Sequence, residues 1–368
     1  MPYRAFILRQ ALRRQTIPSA HLALDRNSAG NHLWAILSLW QSSQVAKTLK
    51  DCDDVRMANQ NPSEPTRDHA NDGGTSNSGR ETFTNRKWLQ NGGGIAIFLV
   101  LLVALRVLQY FVFTKRLPHD WMMSPGGMLA EEAVRVLVVL LVTSLLAMLE
   151  RRRPTDYGLG GVRAIRLCFA GGAWGFATLS LLVGALKLTG ALTFNGPEMS
   201  ASAALGLGLR WLLAFFAVAF FEEMALRGYL QYALARITGF WWAALIWSVV
   251  FLLMHGTNGG EGIVGLIQTG WIALFFCLSL WLTGSLWWAI GFHAAWDWSE
   301  SYFYGTADSG VNVTGHLFSA VPHGNPLLSG GSTGPEGSIL ALLVLAIPTI
   351  ALWLTYRGAK ELRWKAVR

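Results

Sequence analysis

From Gly94 to Tyr356 the chain is a succession of apolar stretches, each close to the ~20 residues that a helix needs to cross a bilayer. About eight can be delimited, at 95–113, 128–149, 167–188, 204–226, 239–255, 262–281, 285–304 and 338–356. Backbone groups in lipid have no water to bond, so these stretches must be helical. The expected fold is all-α, a polytopic membrane helical bundle with about eight transmembrane helices. Composition agrees: 14% of residues are charged, where a soluble domain carries about a quarter, and mean hydropathy is +0.35. The 17 Trp and 19 Phe suit a bilayer and its interfaces. Disorder throughout, collagen and a disulfide scaffold are excluded. Cys168 and Cys277 lie in apolar runs and read as small hydrophobes, and no Cys/His cluster suggests a thiolate metal site.

Three regions differ in composition. Residues 1–92 are polar and rich in Asn, Ser, Thr, Asp and Arg, so they read as a mostly disordered cytoplasmic tail. Within it, 32–40 suggests a short interfacial helix, and Met57 is a second plausible start. The early arginines imitate a signal n-region, but no long apolar run follows. Residues 93–357 form the bundle, and 358–368 a basic cytoplasmic tail. The net charge of +8 reports orientation rather than a nucleic-acid partner. Arg151, Arg152, Arg153, Arg163 and Arg166, then Arg227 and Arg236, then the C-terminal tail, alternate with 188–203, 256–261 and 305–337, which contain no Lys or Arg. By the positive-inside rule both termini are cytoplasmic, in what is expected to be a bacterial cell membrane; Lys115 and Arg116 are the exception. The 305–338 loop is rich in Gly, Ser, Pro and Asn and reads as mobile. Gly171 and Gly175 in the third span suit close helix contact.

An ionisable group within a span costs several kcal/mol unless paired, so each is a functional candidate. Three places break the apolar pattern. Glu222 and Glu223 end an apolar run, with Arg227 four residues after Glu223. That i,i+4 pair can close on one face, leaving Glu222, about 100° around the helix, available as a base. His255 ends the run Phe251-Leu252-Leu253-Met254. His293 and Asp297 are again i,i+4, so imidazole and carboxylate can orient each other. Taken singly, a snorkelling ion pair, a capped histidine and a self-satisfied polar pair account for these. Depth joins them. If the fourth helix runs on through Gly228–Ala235, Glu222 and His255 both lie ~20 Å from the cytoplasmic side, and His293 and Asp297 ~12–18 Å. All four then line one polar cavity within the membrane.

Glu222-Glu223-x-x-x-Arg227, then Phe251-x-x-x-His255, then His293-x-x-x-Asp297, with Gly228-Tyr229-Leu230 after the arginine, resembles the CAAX-protease and bacteriocin-processing family of intramembrane proteases. The resemblance covers roughly 202–304. It implies an endopeptidase acting on a membrane-associated protein or peptide. By position it implies that Glu222 and His255 activate a water, that Glu223, Arg227 and Phe251 support the motif, and that His293 and Asp297 complete the site. Two chemistries stay open: one zinc ion held by Glu222, His255 and His293 with an open fourth position, or Glu222 as a general base without metal. The family has Asp or Asn at the position of Asp297; an Asn amide can donate to an oxyanion and an ionised Asp cannot, so Asp297 either accepts the His293 ring N–H, which is the favoured reading, or is protonated, or helps bind metal.

The alternatives are a catalytically silent scaffold or immunity factor, and a proton-coupled transporter, for which no pair of inverted repeats is evident. Glu131-Glu132-Ala133-Val134-Arg135 reads as a decoy, since its Arg comes one residue early. Arg106 is expected to pair with Glu131 or Glu132, Gln268 to bond across helices, and Lys187 and Arg210 to snorkel. Glu261, His316 and His323 receive no role, and Asn312-Val313-Thr314 is a glycosylation pattern in form only. The sequence assigns neither the substrate nor an oligomeric state.

Overall fold

The computed structural model describes residues 88–365 apart from 113, 198, 259, 361 and 362. The N-terminal tail up to residue 87, with its 32–40 helix and Met57, lies outside the described residues. A π-helical turn at Leu89–Gly93 already leads into the first helix, α1 (Gly94–Val112), so the bundle begins a few residues before 93. It continues with α2 (Pro125–Leu149), α3 (Ala164–Leu188), α4 (Ala201–Glu223), α5 (Gln231–Thr238), α6 (Phe240–His255), α7 (Ile263–Thr283), α8 (Trp287–Asp297) and α9 (Ile339–Tyr356). The one sheet among the described residues is a two-stranded antiparallel pair, β1 (Leu192–Asn195) with β2 (Ser319–Pro322), Leu192 opposite Pro322.

The chain is an all-α membrane bundle, with six helical stretches among the described residues long and apolar enough to span. Two of the eight expected spans fall short. Helix α6 has 16 residues, ~24 Å, and α8 has 11 before it passes into a π-helical stretch at Trp298–Phe303. These two carry His255 and His293. Helix α4 does run on: α4, a π-helical segment at Met224–Leu230 and α5 form one stretch from Ala201 to Thr238. The chain kinks at Gly228 (ψ −122°), one residue after Arg227. Such π segments recur where a helix re-aims side chains at a functional site.

Local chemistry sets the helix starts. Ser124, Ser200 and Ser338 each cap a helix by accepting a backbone N–H, from Gly127, Ala203 and Leu340. The lipid-facing sides are apolar, as Leu141, Phe169, Leu209 and Leu343 show. Helix α8 is buried almost throughout and leans on α3 through glycines. A Cβ on Gly171 would meet the Trp288 carbonyl oxygen at 2.0 Å, on Gly175 that of Phe292 at 2.2 Å, and on Gly291 that of Cys168 at 2.0 Å. The expected small-residue contact of the third span is therefore real, and α8 supplies its counterpart in Gly291.

Two expectations need correction. The 305–338 loop is packed, not mobile. It contributes β2, and it ties to other elements through Trp211 Nε1–H to the Gly315 carbonyl (3.1 Å), Asn258 Nδ2–H to the Ser309 carbonyl (2.9 Å) and Gly262 N–H to Thr333 Oγ1 (2.9 Å). Its glycines serve close backbone contacts: a Cβ on Gly310 would lie 2.7 Å from Gly260. Arg106 does not reach Glu131 or Glu132. It donates to Gln109 on its own helix (2.8 Å) and lies 5.8 Å over the Phe221 ring, while Arg135 pairs with both acids. Toward the other terminus Trp364 packs on Phe240, Tyr232 and Trp281, and its backbone N–H donates to the Trp281 carbonyl, so the start of the basic tail is docked.

One carboxylate staples the loop end of α2 to α5. Glu150, buried at the end of α2, accepts two hydrogen bonds from Arg236 at 2.8 Å, one from Tyr229 at 2.6 Å and one from Tyr157 at 3.0 Å. Burial alone would raise its pKa, but the Arg236 guanidinium and the two phenols outweigh it and hold the carboxyl below its usual value. A depressed carboxyl stabilises the fold above the unfolded-state pKa and loses that stabilisation as pH falls through the folded value. Glu150→Gln should therefore cost about 2 kcal/mol at neutral pH. The melting-temperature gap to the unmodified protein should narrow as pH drops below 4.5, the ordinary glutamate value. A gap that stays constant with pH would mean that ionised Glu150 has no such role.

Candidate active site

The ends of α4, α6 and α8 meet around a cavity of about 450 Å³, within the range of small-molecule sites. Glu222, Phe251, His255, His293 and Asp297 all line it. The structure thus brings the four sequence-predicted catalytic candidates to one space, with apolar walls from Phe215, Met254, Ile272 and Phe276.

Glu223 and Arg227 form the expected i,i+4 pair, at 3.1 Å with both side chains fully buried. The Arg227 guanidinium lies 4.5 Å over the Phe251 ring, and that ring is 4.3 Å from the His255 ring. Phe251 therefore joins the first motif to the histidine of α6, meeting the guanidinium by a cation–π contact and the imidazole by packing. Its own burial (3% exposed) makes that contact obligatory.

His293 is the electrostatic centre. Its Nδ1 is 3.3 Å from Glu223 Oε1, and its Nε2 is 3.5 Å from Asp297 Oδ2 and 3.7 Å from Glu222 Oε2. Of these only the Glu223 contact has hydrogen-bond geometry. The closest acceptor of His293 is thus Glu223, not Asp297 as expected. Asp297 faces the opposite ring nitrogen. Phe276 stacks on the imidazole at 5.4 Å and keeps its plane fixed.

His255 sits on the far wall. Its Nδ1 is 3.0 Å from the Phe251 carbonyl oxygen. A carbonyl can only accept, so Nδ1 carries the proton, and in the neutral ring Nε2 is an acceptor. Glu222 is the accessible carboxylate of the group: its side chain is 26% exposed, against 0% for Glu223.

The ligand atoms of Glu222, His255 and His293 do not all lie within 4.8 Å of one another. Among the described residues the group whose His, Cys or carboxylate ligand atoms come within 4.8 Å of one another is Glu300, Asp308 and Glu336.

Three features of the cavity escaped the sequence reading. The supposed decoy is part of the wall: Glu132 and Arg135 both line the cavity from α2. Only the packing of α2 on α4 reveals this. Gln268 does not bond across helices. It is fully buried and lines the cavity, and neither its amide nitrogen nor its oxygen has a hydrogen-bond partner among the described residues. Glu336 lines the cavity from the 305–337 segment, where loop composition gave no hint of a buried acid.

Residues 204–299 match the family model described as type II CAAX prenyl endopeptidase Rce1-like. The matched segment runs from α4 into the π-helical stretch after α8 and contains every residue of the three motifs. No curated protein and no solved structure matches the chain.

Proposed function

We propose, for a chain that belongs through residues 204–299 to the CAAX-protease and bacteriocin-processing family of intramembrane proteases, that it is an endopeptidase which opens a peptide bond of a membrane-associated protein or peptide by glutamate and histidine chemistry. The observation that carries this reading is the convergence of Glu222, His255 and His293 on one cavity between membrane helices.

Glu222 is the general base. It is the carboxylate with access to the cavity, while Glu223 is committed to Arg227 and His293. A water between Glu222 and the acceptor Nε2 of His255 gives up its proton to Glu222 as its oxygen attacks the scissile carbonyl carbon. The developing oxyanion needs N–H donors placed in advance. Two are at hand: His293 Nε2–H, which Asp297 orients, and the amide of Gln268. Glu222 then passes the proton to the leaving amine. Charge arithmetic supports a donating His293. Glu222, Glu223 and Asp297 bring three negative charges against Arg227, and an imidazolium reduces the excess from two to one. No step is routed through zinc. The ligand atoms proposed for it do not all lie within 4.8 Å of one another.

The reading is tested with the full-length protein purified into proteoliposomes. It should cleave a lipid-anchored peptide ending in a CAAX-type sequence, and continue to do so with a transition-metal chelator that leaves calcium alone. Abolition of cleavage by that chelator, restored by zinc, would overturn the metal-free mechanism. Absence of cleavage across lipidated and unlipidated membrane peptides would overturn the hydrolase reading.

A further inference from the structure

At one edge of the catalytic cavity, a second group of carboxylates lies where α8 runs out into the 305–337 segment, with Asp308 and Glu336 also lining the cavity. Oxygens of Glu300, Asp308 and Glu336 lie within 4.8 Å of one another. Glu300 and Glu336 are buried, at 0% and 6% exposure, and Asp308 is half-buried. No Lys, Arg or His comes within ion-pair distance of any of them among the described residues. Three carboxylates this close cannot all stay ionised unless something positive lies between them.

The independent observation is Glu300 itself. Its side chain is fully buried, neither carboxylate oxygen accepts a hydrogen bond, and it faces the other two acids. The other two are steadied from outside. Glu336 Oε1 accepts from Trp296 Nε1–H (2.8 Å), and its Oε2 accepts from the Ser309 N–H (3.2 Å) and hydroxyl (2.7 Å). Asp308 Oδ2 accepts from the Ser301 hydroxyl (3.1 Å). This is the outer-shell pattern that orients carboxylates toward a metal. Gly334, at φ +100°, closes the wall: a Cβ there would strike the Ala307 carbonyl oxygen and approach Glu300 Oε1 at 3.3 Å.

We infer that Glu300, Asp308 and Glu336 bind a hard divalent cation, calcium in preference to zinc, which clasps the 305–337 segment to the end of α8. All three donors are carboxylates, the ligand type of calcium and magnesium and not of thiophilic or imidazole-preferring metals. The spread of the oxygens suits an ion held at about 2.3–2.6 Å from each, and calcium accepts the irregular geometry of loop ligands better than magnesium does. The clasp is a property of the fold and does not depend on peptide hydrolysis.

The test uses the full-length protein in detergent, freed of divalent ions. Trp296 touches the site and should sensitise luminescence from bound Tb³⁺, which Ca²⁺ should displace. Ca²⁺ should also raise the melting temperature. Glu300→Gln and Asp308→Asn keep the shapes and remove one charge each. Both variants should fold without ions, and each should weaken Ca²⁺ at least about tenfold and lose the thermal shift. Luminescence and thermal shift that survive both substitutions would overturn the assignment. So would a melting temperature indifferent to Ca²⁺ but rising with acid in the unmodified protein alone, which would mean that the acids share protons instead.

Discussion

Glu222→Gln should stop peptide cleavage while leaving the fold intact. Loss of a general base costs roughly 10²–10⁴ in turnover, and here no neighbour is free to replace it. Glu223 is fully buried against Arg227 and His293. Glu132, the cavity carboxylate from α2, is clamped by Arg135, so a base role would break that pair. The amide is nearly isosteric, and Glu222 is partly open to the cavity and accepts no hydrogen bond that folding depends on. The melting temperature should therefore change little. Turnover and unfolding measured on the same preparation separate the alternatives. A silent scaffold would keep its biological effect in Glu222→Gln. A protease should lose that effect together with cleavage. Cleavage within about tenfold of the unmodified protein would place the base elsewhere, with Glu132 the next carboxylate to replace.

The chemistry-bearing residues were legible because each broke a strong local pattern. Glu222, Glu223 and His255 end apolar runs, and His293 with Asp297 interrupts another, so spacing and depth alone brought them to one level. What could not be read was which acid faces which ring. The i,i+4 rule places Asp297 beside one ring nitrogen of His293, but nothing in the spacing says that Glu223, from another helix, meets the other nitrogen more closely. Span five was legible nearly to its observed ends, while the change of span seven from α- to π-helix at Trp298 was not, because the apolar composition carries on through it. Contacts between distant elements were invisible. Arg135 on Glu131 and Glu132 looks like a local pair, and its place on the cavity wall depends on α2 crossing α4. Glu300 did carry a signal, as an acid inside an apolar span, yet its partners Asp308 and Glu336 sit in a stretch whose composition suggested a mobile loop. Glycine and serine there serve close backbone packing rather than freedom.

The largest structural effect should come from Arg227. It is fully buried, its ion pair with Glu223 is a single 3.1 Å hydrogen bond, and its Nε and second terminal nitrogen have no partner among the described residues. Such a pair contributes little net stability when intact, yet removing one member leaves an uncompensated buried charge at a cost of about 3–5 kcal/mol. The two single substitutions should differ in degree. Glu223→Gln leaves Arg227 without an acid and falls at the upper end. Arg227→Met leaves Glu223 beside His293 at 3.3 Å, so part of the charge is still met and the cost falls at the lower end. The double variant removes both charges and should be destabilised by less than the sum, with a coupling of about 1–3 kcal/mol. Arg227→Lys should not restore stability, because a compact ammonium cannot lie flat on Phe251 as the guanidinium does at 4.5 Å. Thermal unfolding followed by tryptophan fluorescence measures all four. Additive losses would show that Glu223 and Arg227 act separately. The first motif would then be held by the Phe251 and His293 contacts alone, and the ion pair would be a by-product of placing two charges on one helical face.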